Sequence, residues 1–281
     1  MKKGGYLIVL SMILIVLTVK SAAANGLRWA TDKPEPEKQW APRPGVLKNA
    51  YIISQMTDKP IANLKRAIDI CNNYIKEYSN DTDRIVDAYV ILAESYFNLG
   101  EFHNNDSKRL GYYEQGEKEA DMLIKIAPDR WDGWFWWSAN AGRISQLKGV
   151  LSSIFLFGSF KKHIFTAQKL APNSPLVLDG LGVMYRQLPW IAGGDKHKSE
   201  AYLKKALAID PHITIARLDL SITLLEMDKK AEAIKELNKI VNEKHPAWAA
   251  HYLKWDKPKA EALLKNITDY KALLDRWHML M

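Results

Sequence analysis

Gly193-Gly194-Asp195-Lys196 is the stretch whose residue types come nearest to phosphate chemistry, with glycines to free backbone N–H groups and a lysine for charge. A phosphate loop needs the spacing G-x4-G-K-[ST] after a strand, and neither is present. The glycines instead fit a turn, with Asp195 capping the helix that follows. The histidines at 103, 163, 197, 212, 245, 251 and 278 form no H-E-x-x-H and no i, i+4 pair, so no metal site is expected. Cys71 is the sole cysteine and lies on an apolar helical stripe, where a small core residue is a simpler reading than a nucleophile. No G-x-S-x-G occurs. With no coupled nucleophile, acid–base pair or metal set, the expectation is a protein that is not an enzyme and needs no cofactor.

Binding is better served than catalysis. Ten tryptophans are present, three of them at Trp134, Trp136 and Trp137 in the run DGWFWWSANAGR. Neighbours on a helix point 100° apart, so one ring must leave the interface its helix makes. That ring packs on the insert at 148–160, KGVLSSIFLFGSF, or else it lines a cavity or a subunit contact with Leu156 and Phe157 of that insert. Trp190 stands in a loop, QLPWIAGGDKHK, outside any helical pattern. It either packs back on the loop or meets a partner.

The elements that carry these residues are helices. Ile61, Leu64, Ile68, Cys71, Ile75 and Tyr78 share one helical stripe, and no strand or hairpin signal appears. Four segments end in a helix followed by proline, at Pro128, Pro172, Pro211 and Pro246, spaced 44, 39 and 35 residues apart. A tetratricopeptide repeat has period 34, with small and aromatic residues at set places in its first helix and proline after its second. Leu181-Gly182-x2-Tyr185 and Ser199-x3-Leu203-x2-Ala206-x4-Pro211 match it. So do Leu220-Ser221-x2-Leu224 with Ala233 and Leu237, Trp137-Ser138-x2-Ala141 with Ile164 and Ala167, and Leu92-Ala93-x2-Tyr96 with Ala120 and Leu123. Small residues at Gly182, Ser138, Ala93 and Ser221 would let paired helices approach closely, and proline would end each second helix. The predicted fold is all-α: a solenoid of four antiparallel helix pairs at 51–281, an apolar insert, and capping helices at 60–79 and 257–277. Asp256 before Pro258 is the expected start of the last helix.

The N-terminal residues read differently. Lys2 and Lys3, an apolar run Tyr6–Val19 and the small residues Ala22–Ala24 form an export signal, with cleavage expected after Ala24. The run is short for a bilayer span of about 20 residues, and an uncleaved anchor is the alternative. Residues 25–50, broken by Pro34, Pro36, Pro42 and Pro44, read as a linker. The expected site of action is the periplasm. The formal charge of +8 on 281 residues, +5 without the signal, is too mild to call for nucleic acid.

The combination FWWSANAGRISQLKGV, an apolar stretch and LPWIAGGDKHKSEAYLKKALAIDP resembles the TatT component family, periplasmic tetratricopeptide-like proteins of TRAP (tripartite ATP-independent periplasmic) transporters. The resemblance covers residues 60–245 and is most specific around Leu188-Pro189 and Gly193-Gly194-Asp195. The chain departs from it in having no cysteine beside the cleavage site. The resemblance implies an accessory protein that binds a periplasmic solute-binding protein, with self-association into a ring and an apolar cavity or channel for a small apolar ligand. The other reading is a general envelope scaffold that holds a protein partner and no ligand.

Overall fold

The computed structural model describes residues 45–274, save the side chains of residues 150–156. The expected export signal and linker residues 25–44 lie outside the described residues. Within them all regular structure is helical: α1 Gly45–Ser54, α2 Pro60–Glu77, α3 Thr82–Phe102, α4 Asp106–Ile126, α5 Trp131–Lys148, α6 Val150–Leu170, α7 Pro175–Gln187, a 3-10 turn Trp190–Ala192, α8 Lys196–Ile209, α9 Thr214–Glu226 and α10 Lys230–Val241. A closing segment follows, made of α11 Ala249–His251, a π-helical stretch Tyr252–Asp256 and α12 Lys257–Lys265.

Local chemistry sets the ends. Asp81, Asn105, Ser174 and Asp195 accept backbone N–H groups of the first turns of α3, α4, α7 and α8. Pro60 and Pro175 sit where a missing N–H costs nothing. Pro128, Pro172 and Pro211 each stand two residues past a second helix and stop it.

The pairs α3/α4, α5/α6, α7/α8 and α9/α10 stack as the repeat predicts, each helix packing on the next, while first helices also touch, α3 on α5 and α7 on α9. Ala93, Ser138, Gly182 and Ser221 are all buried. At Gly182 the approach is close enough that an added Cβ would lie 2.5 Å from Leu203 Cγ of α8. Gly182→Ala should therefore cost about 1–3 kcal/mol, read as a lower urea midpoint. The double variant with Leu203→Ala should lose less than the two single variants together, because the smaller side chain relieves the contact.

Two boundaries differ from expectation. Residues 45–50, expected in the linker, begin α1, whose Leu47, Ala50, Tyr51 and Ser54 are buried and which packs on α2 and α3. The helix at 60–79 is thus the second of a further pair rather than a lone cap. Asp256 does not start the last helix: the π-helical stretch runs into α12 through it, and its buried carboxylate accepts from Thr214 Oγ1 at 2.7 Å. α12 stops at Lys265, and a turn leads to a short helical stretch at 270–274, where Tyr270 O–H donates to the Leu225 carbonyl.

Candidate partner-binding surfaces

The Trp190 loop is an anchored turn. Gly193 holds φ +93°, in the left-handed region that favours glycine. At Gly194 a Cβ would fall 1.8 Å from the Leu188 carbonyl oxygen, so only glycine lets the chain double back there. Gly194 N–H donates to the Pro189 carbonyl at 3.0 Å, and Asp195 N–H to that of Tyr185 at 2.8 Å. Asp195 accepts the His197 and Lys198 N–H groups, which hold its carboxyl below the usual range. Tyr185 stacks on Tyr202 with ring centroids 5.6 Å apart, beside buried Ala206 and ahead of Pro211. The stretch Gly193-Gly194-Asp195 is the turn and helix cap that its sequence predicts. Out of this frame Trp190 stands 84% exposed and Ile191 76%, so Trp190 does not pack back on the loop.

The other tryptophans face inward. Trp136 lies against Phe97 and Phe135, at 5.6 and 5.1 Å between centroids. Trp137 stacks on His163 of α6 at 3.9 Å, and half-buried Trp134 also reaches His163 while donating Nε1–H to the Pro128 carbonyl. Trp136 and Trp137 are thus core residues rather than partner-facing ones, and all three rings are used within the α3/α5/α6 packing. Phe157 is half-buried with Lys161 Nζ 5.5 Å from its ring. The Leu156 side chain lies outside what is described. Cys71 is fully buried and burial pushes its thiol up to about 12, which leaves it unreactive.

The feature that sequence reasoning missed is a row of charged side chains on the first helices of the pairs. Arg143 of α5 holds Glu101 of α3, Nε to Oε1 at 2.8 Å and Nη2 to Oε2 at 3.0 Å, and Tyr113 O–H also donates to Glu101 at 2.6 Å. Arg186 of α7 bridges Asp219 and Glu226 of α9 at 2.8 and 3.3 Å. Asp179 is buried beside them, and burial first, then Asp219 and Asp256, push its carboxyl well up. The closing segment lies over this row. His251 meets Asp256 at 3.0 Å, Lys254 Nζ reaches the Phe102 carbonyl at the end of α3, and burial lowers Lys259, which feels Arg143, Glu101, Asp219 and Asp256. Solenoids bind along this inner face, and here the chain itself covers part of it. Among the described residues no group of three or more His, Cys, Asp or Glu side chains is arranged to hold a metal ion. Nor is any described helix long and apolar enough to cross a membrane.

Comparison with known proteins agrees with this architecture. A family model described as "Regulator of microtubule dynamics protein 1-3" matches residues 53–188, and a tetratricopeptide-repeat model matches 192–254. The loop that carries Trp190 begins where the first match ends. Regulator of microtubule dynamics protein 3 of Rattus norvegicus is 24% identical over 163 residues, 52% of this chain and 35% of the relative. The protein of the same name from Bos taurus is 23% identical over 116 residues, 41% of this chain and 25% of the relative. The chain thus spans about a third or less of the length of these relatives. Among solved structures, a thermophilic tetratricopeptide-repeat protein of Thermus thermophilus superposes with TM-score 0.55 at 18% identity, covering 70% of this chain and 89% of that one, a likeness of fold. Helix pairs, proline stops and small residues at the pair contacts lead to the same statement: the chain is a tetratricopeptide-like helical-repeat protein.

Proposed function

We propose that the protein is a non-catalytic scaffold that holds a protein partner, with Trp190 and Ile191 as its anchor. The observation that carries this is an aromatic and an aliphatic side chain, more than three-quarters exposed, on a turn fixed by its own backbone bonds. Interfaces draw most of their energy from a few buried aromatic anchors, and an anchor already rigid loses little conformational freedom on docking.

The finer reading is that the partner is a periplasmic solute-binding protein and the chain a TRAP-type transport accessory. Its support is the resemblance of residues 60–245 and the export-like N-terminus. The tryptophan cluster is used up in core packing, which favours a scaffold without an apolar ligand. The microtubule function in the relatives' name belongs to those proteins. The test is recovery of partners with tagged protein from its native host, repeated with Trp190→Ala. Co-purification of a solute-binding protein, falling about tenfold or more in the variant, is the expected result. The variant itself should stay within about 0.5 kcal/mol of the parent in stability, since Trp190 is exposed. Partner recovery unchanged by Trp190→Ala would remove the anchor, and partners of another kind would leave the general scaffold. Mass measurement of the same sample should show a chain starting at Asn25. A chain starting at Met1 would mean an uncleaved anchor.

A further inference from the structure

Where the start of α2, the end of α3 and the closing segment meet, they border a cavity of about 470 Å3. Pro60, Ile61 and Ala62 of α2 and Phe102 of α3 give it an apolar lining, and Lys59, Lys65 and Lys254 stand around them. The lysines come from separate places: the residue before α2, the second turn of α2, and the π-helical stretch 152 residues beyond Phe102. None of the three meets a carboxylate among the described residues. Lys254 Nζ reaches the Phe102 carbonyl at 3.4 Å and lies 5.7 Å from the centre of the Phe102 ring, which holds its charge at the cavity. Two acids close in sequence are engaged elsewhere, Glu101 by Arg143 and Tyr113 and Asp106 by Arg109. Asp58 is exposed beside Lys59, and the lysines remain in excess. Lys59 itself holds φ 47°, in the left-handed region that lysine rarely adopts, and no side chain caps α2. A neighbour registers the surplus charge. His103, just past α3, stacks on Tyr112 at 5.3 Å, and burial first, then Lys108, Lys65 and Lys254, hold its imidazole below the usual range.

We propose that this cavity binds a small organic anion, one negatively charged group on a flat apolar body, and that the bound anion ties the closing segment to α2 and α3. Pockets for small molecules run from about 300 to 1,000 Å3 and join an apolar lining to a few placed polar groups. This cavity has both, and it is too small for a two-chain lipid. Lysine is a point charge without the planar fork of arginine, so the rim selects for negative charge and the lining for the apolar body. Lys254 belongs to the closing segment, so the site is complete only while that segment is docked. An occupant therefore favours the docked state.

The test is calorimetric titration of the full chain with naphthoate, beside naphthamide, which has the same rings and no charge. Naphthoate should bind, and naphthamide at least about tenfold more weakly. Ala62→Trp fills the apolar lining, and Lys65→Met with Lys254→Met removes two of the charges. All three positions are exposed, so the fold should survive both changes. Each variant should lose at least about tenfold in affinity for naphthoate. On the unmodified chain, His103 should ionise at a higher pH with naphthoate bound, read by NMR, because the anion offsets the lysines around it. Hydrogen exchange at residues 252–256 should slow in the same sample. No binding of naphthoate, equal affinity for naphthamide, unchanged affinity in the variants or an unmoved His103 would each overturn the proposal. So would binding to phosphatidylglycerol vesicles with none to free naphthoate. Trp190 lines no part of the cavity, so these outcomes leave the anchor reading to its own test.

Discussion

Replacing Arg143 with methionine should destabilise the fold by roughly 3–5 kcal/mol at neutral pH, the cost of stranding a buried charge. Glu101 is 8% exposed and takes both of its strong contacts from Arg143 and Tyr113. Burial alone would raise its carboxyl, but Arg143 first, then His251, the Tyr113 O–H and Lys259, outweigh burial and hold it below the ordinary range. A lowered acid contributes stability above its unfolded value, and that contribution is lost as pH falls through the folded one. Without Arg143 the balance tips toward burial, and a protonated Glu101 no longer needs a cation. The deficit of Arg143→Met should therefore shrink on going from pH 7 to pH 4 in urea denaturation. Equal deficits at both pH values would mean that the loss is packing against Phe97, over whose ring the guanidinium lies at 5.9 Å, and that the ion pair adds nothing.

Glu94 should show the opposite sign. It is 2% exposed, and burial pushes its carboxyl up to about 7, with Asp132 adding repulsion and a hydrogen bond from Gln55 Nε2 at 3.0 Å pulling part of the way back. Between the ordinary carboxylate range and pH 7 the folded chain then binds more protons than the unfolded one, so this group's contribution falls as pH rises through that window. The loss amounts to about 3 kcal/mol when complete. Glu94→Gln keeps an acceptor for Gln55 and cannot ionise. Relative to the parent it should gain stability steadily from pH 4.5 to pH 8, reaching about 3 kcal/mol. A parent and variant whose unfolding curves stay parallel across that range would show that Glu94 remains charged when buried.

The repeat was legible because its signals are local. Proline stops a helix wherever it sits, and Gly182 or Ser221 announces a close contact within its own turn. The start of α1 was missed because four prolines in residues 34–44 set a linker reading that was carried six residues too far, over Leu47 and Ala50 of the stripe that continues at Tyr51 and Ser54. The tryptophan cluster left two readings open because a sequence tells how many faces are apolar but not what meets them. The answer was His163, on the next helix. The charged inner row was illegible for a stronger reason. Glu101, Arg143, Asp179 and Arg186 have the composition of a solvated helix face, and what pairs with Arg143 and Arg186 comes from helices 33 to 42 residues away.

That return changes how the stack should fail. In an open array each unit touches only its neighbours, so it frays from its ends and stretches like a spring. Lys254 and Phe102, 152 residues apart, make the closing segment a neighbour of α3. The pairs from α3 onward are then not free to peel alone from the C-terminal side, and their unfolding should approach a single transition. Long-range closure of this kind also comes late, since the intervening chain must be ordered before its ends can meet. Docked, the segment makes the protein a clasp that resists extension. Released, it leaves a coil whose pitch a bound partner or an applied force can set.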